Sequence, residues 1–79
     1  SWMPLTMSRT RVRNHIVRER VNGTSYFVDQ GGLWHWIRDG GTFNCLIAKH
    51  GAALTAQNMA QINAIKNEGS PVVWATCAM

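Results

Sequence analysis

The chain is poor in carboxylates: Glu19, Asp29, Asp39 and Glu68 are the only four. Acid–base hydrolysis needs two of them flanking a cleft, and Asp29 and Asp39 sit in turn-like segments where Asp favours backbone bonding. Cysteine is equally scarce. Cys45 and Cys77 form no C-x₂-C unit, and with His35 and His50 they match no spacing that gathers metal ligands locally. A Cys45–His50 nucleophile–base pair fails too. Five residues apart on a helix, the two side chains diverge by about 140°. No nucleophile–base pair is left to suggest an enzyme, and no cofactor or metal is expected. Long apolar runs are missing as well, so nothing approaches the roughly 20 residues needed to cross a bilayer. The start, Ser1-Trp2-Met3-Pro4, lacks the apolar region of a signal peptide. Because it opens on Ser rather than Met, the chain is expected to be a processed protein or an excised piece, which leaves room for a secretory signal already removed. Internal repeats and low-complexity tracts are also absent.

With 79 residues and 46% hydrophobic content, one small folded domain is expected. Eight Lys and Arg against four acids give a net charge of +4. The excess is local, since Arg9, Arg11, Arg13, Arg18 and Arg20 lie close together in sequence. Such a stretch either is a solvated segment or attracts nucleic acid, anionic wall polymer or anionic lipid. Two cysteines joining the middle of a small domain to its end read most naturally as one disulfide rather than two free thiols, which implies an extracytoplasmic home.

Residues 1–14 show no period and read as a basic N-terminal arm; residues 15–79 read as one α+β domain. Asn22-Gly23 between HIVRERV and TSYFVD is a strong hairpin signal. Taken as a two-residue turn, it sets Val21 against Thr24, Glu19 against Tyr26 and Val17 against Val28. Asp29-Gln30-Gly31-Gly32 is a second reversal, setting Val28 against Leu33 and Phe27 against Trp34. Alternation then sorts the strands into two faces. Val17, Val21, Tyr26, Val28, Leu33 and Ile37 form an aliphatic face that also holds Glu19 and His35. Ile16, Arg18, Arg20, Phe27, Trp34 and Trp36 form the other. Thr42 is a plausible N-cap for a first helix carrying Phe43, Leu46 and Ile47 and ending at Gly51. A second helix is expected from Thr55 to Asn67 with the stripe Met59, Ile62, Ile65, and VVWATC reads as a further strand. The expectation is an antiparallel meander of three or four strands with two short helices on the aliphatic face.

The face carrying Arg18, Arg20, Phe27, Trp34 and Trp36 is the candidate ligand-binding surface, because indole and phenyl faces stack on sugars or bases while arginine supplies charge. The alternative is that Trp34 and Trp36 are covered by the arm, Trp2 included, or by the tail with Trp74. His35 reads as a cross-strand partner of Tyr26, and Glu19 as a partner of His35 or an arginine. Asp39-Gly40-Gly41-Thr42 reads as a turn and cap; an anion site there would be opposed by Asp39.

The stretches Gly23-Thr24-Ser25-Tyr26, Val28-Asp29, His35-Trp36-Ile37 and Asp39-Gly40-Gly41-Thr42-Phe43-Asn44-Cys45-Leu46 lie within a span, Gly23 to Leu46, that covers about a third of the chain. They resemble a short module of secreted and surface proteins of actinobacteria and some of their phages, G-T-S-Y-x-V-D followed by H-W-I-P-D-G-G-T-(Y/F)-N-C-L. The resemblance implies a non-enzymatic appendage, an extracytoplasmic setting and a disulfide. Arg38 replaces the module's proline, removing a rigid turn residue and adding charge. The residues together favour a secreted, non-catalytic module that binds a carbohydrate or anionic component of a cell surface or wall. A nucleic-acid binder and a self-associating interaction domain are the alternatives.

Overall fold

The β-rich runs HIVRE, SYFV and WHWI become β1 (His15–Glu19), β2 (Ser25–Val28) and β3 (Trp34–Ile37), an antiparallel meander. The computed structural model describes residues 7–66 and 73–79. After β3 come α1 (Gly40–His50), β4 (Leu54–Ala56), α2 (Met59–Ile65) and β5 (Val73–Trp74). The sheet order is β4-β1-β2-β3-β5, with β4 parallel to β1 and β5 parallel to β3. The α+β class and the meander stand; the purely antiparallel sheet of three or four strands is corrected to a mixed one of five.

The helices lie on opposite faces rather than together. The crossover from β3 through α1 to β4 runs one way along the sheet, and that from β4 through α2 to β5 runs back. Two crossovers of opposite direction that each keep the right-handed sense must pass over opposite faces. Accordingly, α1 contributes Leu46, Phe43 and Ile47 to a core with Ile16, Phe27 and Ile37. On the other side α2 contributes Ile62, Met59 and Ile65 to a core with Val12, Val17, Tyr26, Val28 and Trp34. Val12, in the basic N-terminal stretch, is 1% exposed, and the Asn14 N–H extends the sheet by donating to Val28 O (2.8 Å).

Both helix starts differ from expectation. Asp39, not Thr42, caps α1, its carboxylate accepting the Thr42 N–H at 2.7 Å. Gly51 ends that helix at φ +91° as expected. Thr55 lies in β4, because Leu54–Ala56 completes the sheet edge beside β1, and Asn58 caps the shorter α2. The stripe Met59, Ile62, Ile65 does face the core.

Both reversals are also displaced. At Asn22-Gly23 the chain forms a four-residue loop, with Glu19 rather than Val21 opposite Thr24 and Val17 opposite Tyr26. The cause is the Glu19 carboxylate. It is 1% exposed and accepts the Val21 and Asn22 N–H groups, so it fills the loop from inside. Gly23 then closes the loop at φ +75°, a conformation open to glycine. Glu19 thus pairs with its own loop and not with His35 or an arginine. A two-residue displacement leaves side-chain faces unchanged.

The second displacement is by one residue. Asp29, not Val28, closes against Leu33, leaving the three-residue loop Gln30-Gly31-Gly32 with Gly32 at φ +90°. This is a hairpin form in which a turn is followed by a left-handed glycine. A one-residue change flips β3 relative to β2. Trp34 and Trp36 therefore share a face with Tyr26 and Val28, while His35 and Ile37 join Phe27. Val21 and Leu33 are left exposed.

Because the buried Glu19 carboxylate holds two loop N–H groups, Glu19→Ala is expected to lower stability by about 2 kcal/mol. The corresponding loss for Asn22→Ala, at an exposed position, is expected to stay below about 0.5 kcal/mol. Urea unfolding midpoints of the two variants check this.

Candidate binding surface

The five residues expected to form one surface are divided by the sheet. Phe27 (2% exposed) lies in the α1-side core, its ring 4.6 Å from that of His50. Trp34 (6%) is in the α2-side core, edge-on to Tyr26 at 5.5 Å. Arg18 is exposed on the α1 side, and Arg20 is exposed beyond β1, where its backbone N–H donates to Ala56 O near the β4 edge. Of the three aromatics, only Trp36 reaches solvent, at 39% exposure.

Trp36 has a different companion. Trp74, directly opposite it on β5 and 42% exposed, stacks on it with ring centroids 4.7 Å apart and planes 25° apart. The Arg38 guanidinium lies over the Trp74 ring at 3.9 Å, a favourable approach of cation to π-face. Beside them, Lys66 Nζ lies 4.9 Å above the Tyr26 ring. Two half-exposed indoles and an arginine thus form a contiguous patch at the β3–β5 edge. Covering of Trp36 by the tail was foreseeable; Trp2 lies outside the described residues.

The tail holds Trp74 in place. β5 is only two residues long, yet the Ala75 N–H donates to Trp36 O (2.9 Å) and Cys77 is disulfide-bonded to Cys45 on α1, with Cα atoms 5.6 Å apart. Lys49 Nζ donates to Cys77 O, and His50 Nε2 donates to Met79 O at 3.0 Å. The single disulfide read from the sequence is present, which also removes Cys45 as a nucleophile.

Asp29 holds Trp36. One of its carboxylate oxygens accepts the Leu33 N–H (2.9 Å), and the other accepts from His35 Nε2 (2.9 Å), which fixes where β3 begins. His35 is therefore the partner of Asp29, on the sheet face opposite Tyr26. Its Nδ1 is buried and has no hydrogen-bond partner among the described residues. Partial burial pulls the Asp29 carboxyl upward. The hydrogen bonds from His35 and Leu33 outweigh that effect and leave it below the ordinary carboxylate range. Among the described residues, no three His, Cys, Asp or Glu side chains gather where they could hold a metal ion, and no helix is long and apolar enough to cross a membrane.

A surface cleft of about 390 Å³ lies at the carboxyl ends of β1 and β3, lined by Arg18, Gly23, Ser25, Ile37, Arg38, Asp39, Gly40 and Phe43. The Asp39 carboxylate there is engaged by the Thr42 N–H and hydroxyl, which hold it below its ordinary value. Compared with protein-family models, curated proteins and solved structures, the chain matches none.

Two outcomes are expected. Because the Asp29 pKa is lower in the folded state, its contribution to stability is present above the ordinary value of 3.8 and lost as pH falls through the folded value. Asp29→Asn is expected to be less stable than the parent at pH 7 and to have a shallower acid limb, read from urea midpoints between about pH 5 and pH 2. Replacing both cysteines by serine opens a loop with a sequence separation of 32 and is expected to lower stability by about 3–4 kcal/mol. The exciton signal of the Trp36–Trp74 pair in circular dichroism should weaken with it.

Proposed function

We propose that this domain is a non-catalytic binding module acting outside the cytoplasm, which attaches to a carbohydrate or anionic polymer of a cell surface through Trp36, Trp74 and Arg38. The observation that carries this reading is the indole pair, each ring about two-fifths exposed and one of them covered by a cation. Contiguous exposed aromatic area on a small domain marks an interaction site, and indole faces suit the C–H faces of sugar rings. Arg38 forms no salt bridge among the described residues, so its charge is available to a ligand. The disulfide and the resemblance of Gly23–Leu46 to a surface-protein module support the setting. Phe27 and Trp34, being buried, serve the core and not the ligand.

A nucleic-acid ligand is the second reading, favoured by the exposed Arg11, Arg13, Arg18 and Arg20 together with the net charge of +4. The two readings separate by salt. Phosphate-backbone binding weakens on a log–log plot with a slope of about −0.7 to −0.9 per neutralised phosphate, whereas stacking on sugar rings is nearly insensitive.

Retention on purified cell wall should fall at least tenfold in the Trp36→Ala/Trp74→Ala double variant and remain near the parent level in Arg20→Gln. Undiminished retention by the double variant would remove the indole pair from the proposal. A steep salt dependence with single-stranded DNA, and none of this retention, would replace the ligand class.

A further inference from the structure

The cleft beside α1 is built around an arginine placed by the first hairpin. With Glu19 filling the β1–β2 loop, Gly23 takes φ +75° and the Arg18 guanidinium lies beside it. A Cβ at residue 23 would come 3.4 Å from Arg18 Nη2 and 3.9 Å from Nε. Ser25, 7% exposed, donates to Gly23 O (3.0 Å) and steadies the same wall. Ile37 and Phe43 supply an apolar lining, and Arg38 stands on the wall nearest β5. Neither arginine forms a salt bridge among the described residues. Asp39 also lines the cleft, but both its oxygens are turned to Thr42, so two cations face one engaged carboxylate.

Three properties narrow the occupant. The volume of about 390 Å³ falls at the small end of ligand pockets, suited to one monosaccharide unit. The apolar lining suits a sugar's C–H face, while the Arg18 guanidinium beside Gly23, with Arg38 also on the lining, suits a carboxylate or phosphate, which arginine binds with two parallel hydrogen bonds. Arg38 belongs to both surfaces, lining the cleft and lying over Trp74. The cleft and the indole pair are thus continuous around the end of β3.

From this we infer that the cleft between Arg18 and Arg38 is a subsite for an acidic sugar unit, carrying a carboxylate or phosphate, of the polymer that lies on Trp36 and Trp74. The inference rests on the proposed glycan reading and adds the charged substituent that it selects.

Titration of the ¹⁵N-labelled chain with D-glucuronate, glucose 6-phosphate, D-glucose and inorganic phosphate tests it by NMR. The Gly23 and Gly40 amide signals should shift saturably with glucuronate or glucose 6-phosphate. D-glucose and inorganic phosphate should bind at least tenfold more weakly. Arg18→Gln, an exposed change whose fold the same spectrum verifies, should weaken the acidic sugars at least tenfold. Equal response to glucose or to bare phosphate overturns the subsite, as does parent-like binding by both Arg18→Gln and Arg38→Gln. Wall retention by the double tryptophan variant is read alongside. Its loss without any cleft response sinks the subsite and leaves the indole reading standing. A saturable cleft response with full retention by that variant does the reverse.

Discussion

The Asp29 carboxylate decides which way the third strand faces. It holds the Leu33 N–H and His35 Nε2 together, and so the β2–β3 loop closes over three residues. Every side chain of β3 takes its orientation from that closure. With a four-residue loop, Trp34 would share a face with Phe27, and Ile37 with Val28. With three, Trp34 completes the α2-side core, Ile37 completes the α1-side core, and Trp36 arrives opposite Trp74. The buried His35 Nδ1, without a partner among the described residues, is an unfavourable feature. It is tolerated where the other nitrogen fixes a register on which both cores depend.

Glu19 plays a parallel part in the first hairpin with a different consequence. Both acids accept loop N–H groups and both move a reversal away from its simplest form. Two residues of displacement at Glu19 preserve the alternation; one residue at Asp29 inverts it. This parity explains what could be read from the residues and what could not. The strands, their antiparallel order and the faces of β1 and β2 follow from HIVRE, SYFV and the Asn-Gly signal. The Met59, Ile62, Ile65 stripe and the cysteine pairing were equally plain. The face of β3 was not, because both loop lengths around Gln30-Gly31-Gly32 satisfy the same glycine chemistry. The choice rests on a side-chain contact between Asp29 and His35, six residues apart, to which periodicity is blind. The arginine–aromatic surface was assembled on the wrong parity, and only Trp36 survives as an exposed aromatic.

The sheet's two parallel edges have a common origin in the crossovers. Two helices over opposite faces cover both sides of the meander, which is why so small a chain buries Ile16 and Phe27 on one side and Val17 and Val28 on the other. Parallel pairing of β4 and β5 was hidden from the sequence because each strand is very short, and a three-residue run such as Leu54-Thr55-Ala56 is indistinguishable from the start of the helix that follows. Trp74 escaped as a site residue for a different reason. Its strand was legible in VVWATC, but no local signal assigned that strand to the edge beside β3, where Trp74 meets Trp36.

The exposed surface depends on α1 along its whole length. Its first turn, with Asp39 as cap, forms the far wall of the cleft. Its middle carries Cys45 and its last turn carries Lys49 and His50, which grip the Cys77 and Met79 carbonyls. A two-residue strand has too few ladder bonds to stay paired unaided. Clamping the tail to a helix that already packs on Phe27 and Ile37 supplies the missing hold, and Trp74 is thereby fixed against Trp36 at little entropic loss on binding. The same helix places Arg38 between cleft and indoles, since that residue is the last before the cap. One rigid element therefore sets the spacing between the cleft and the indole pair, the two surfaces on which the proposed binding rests.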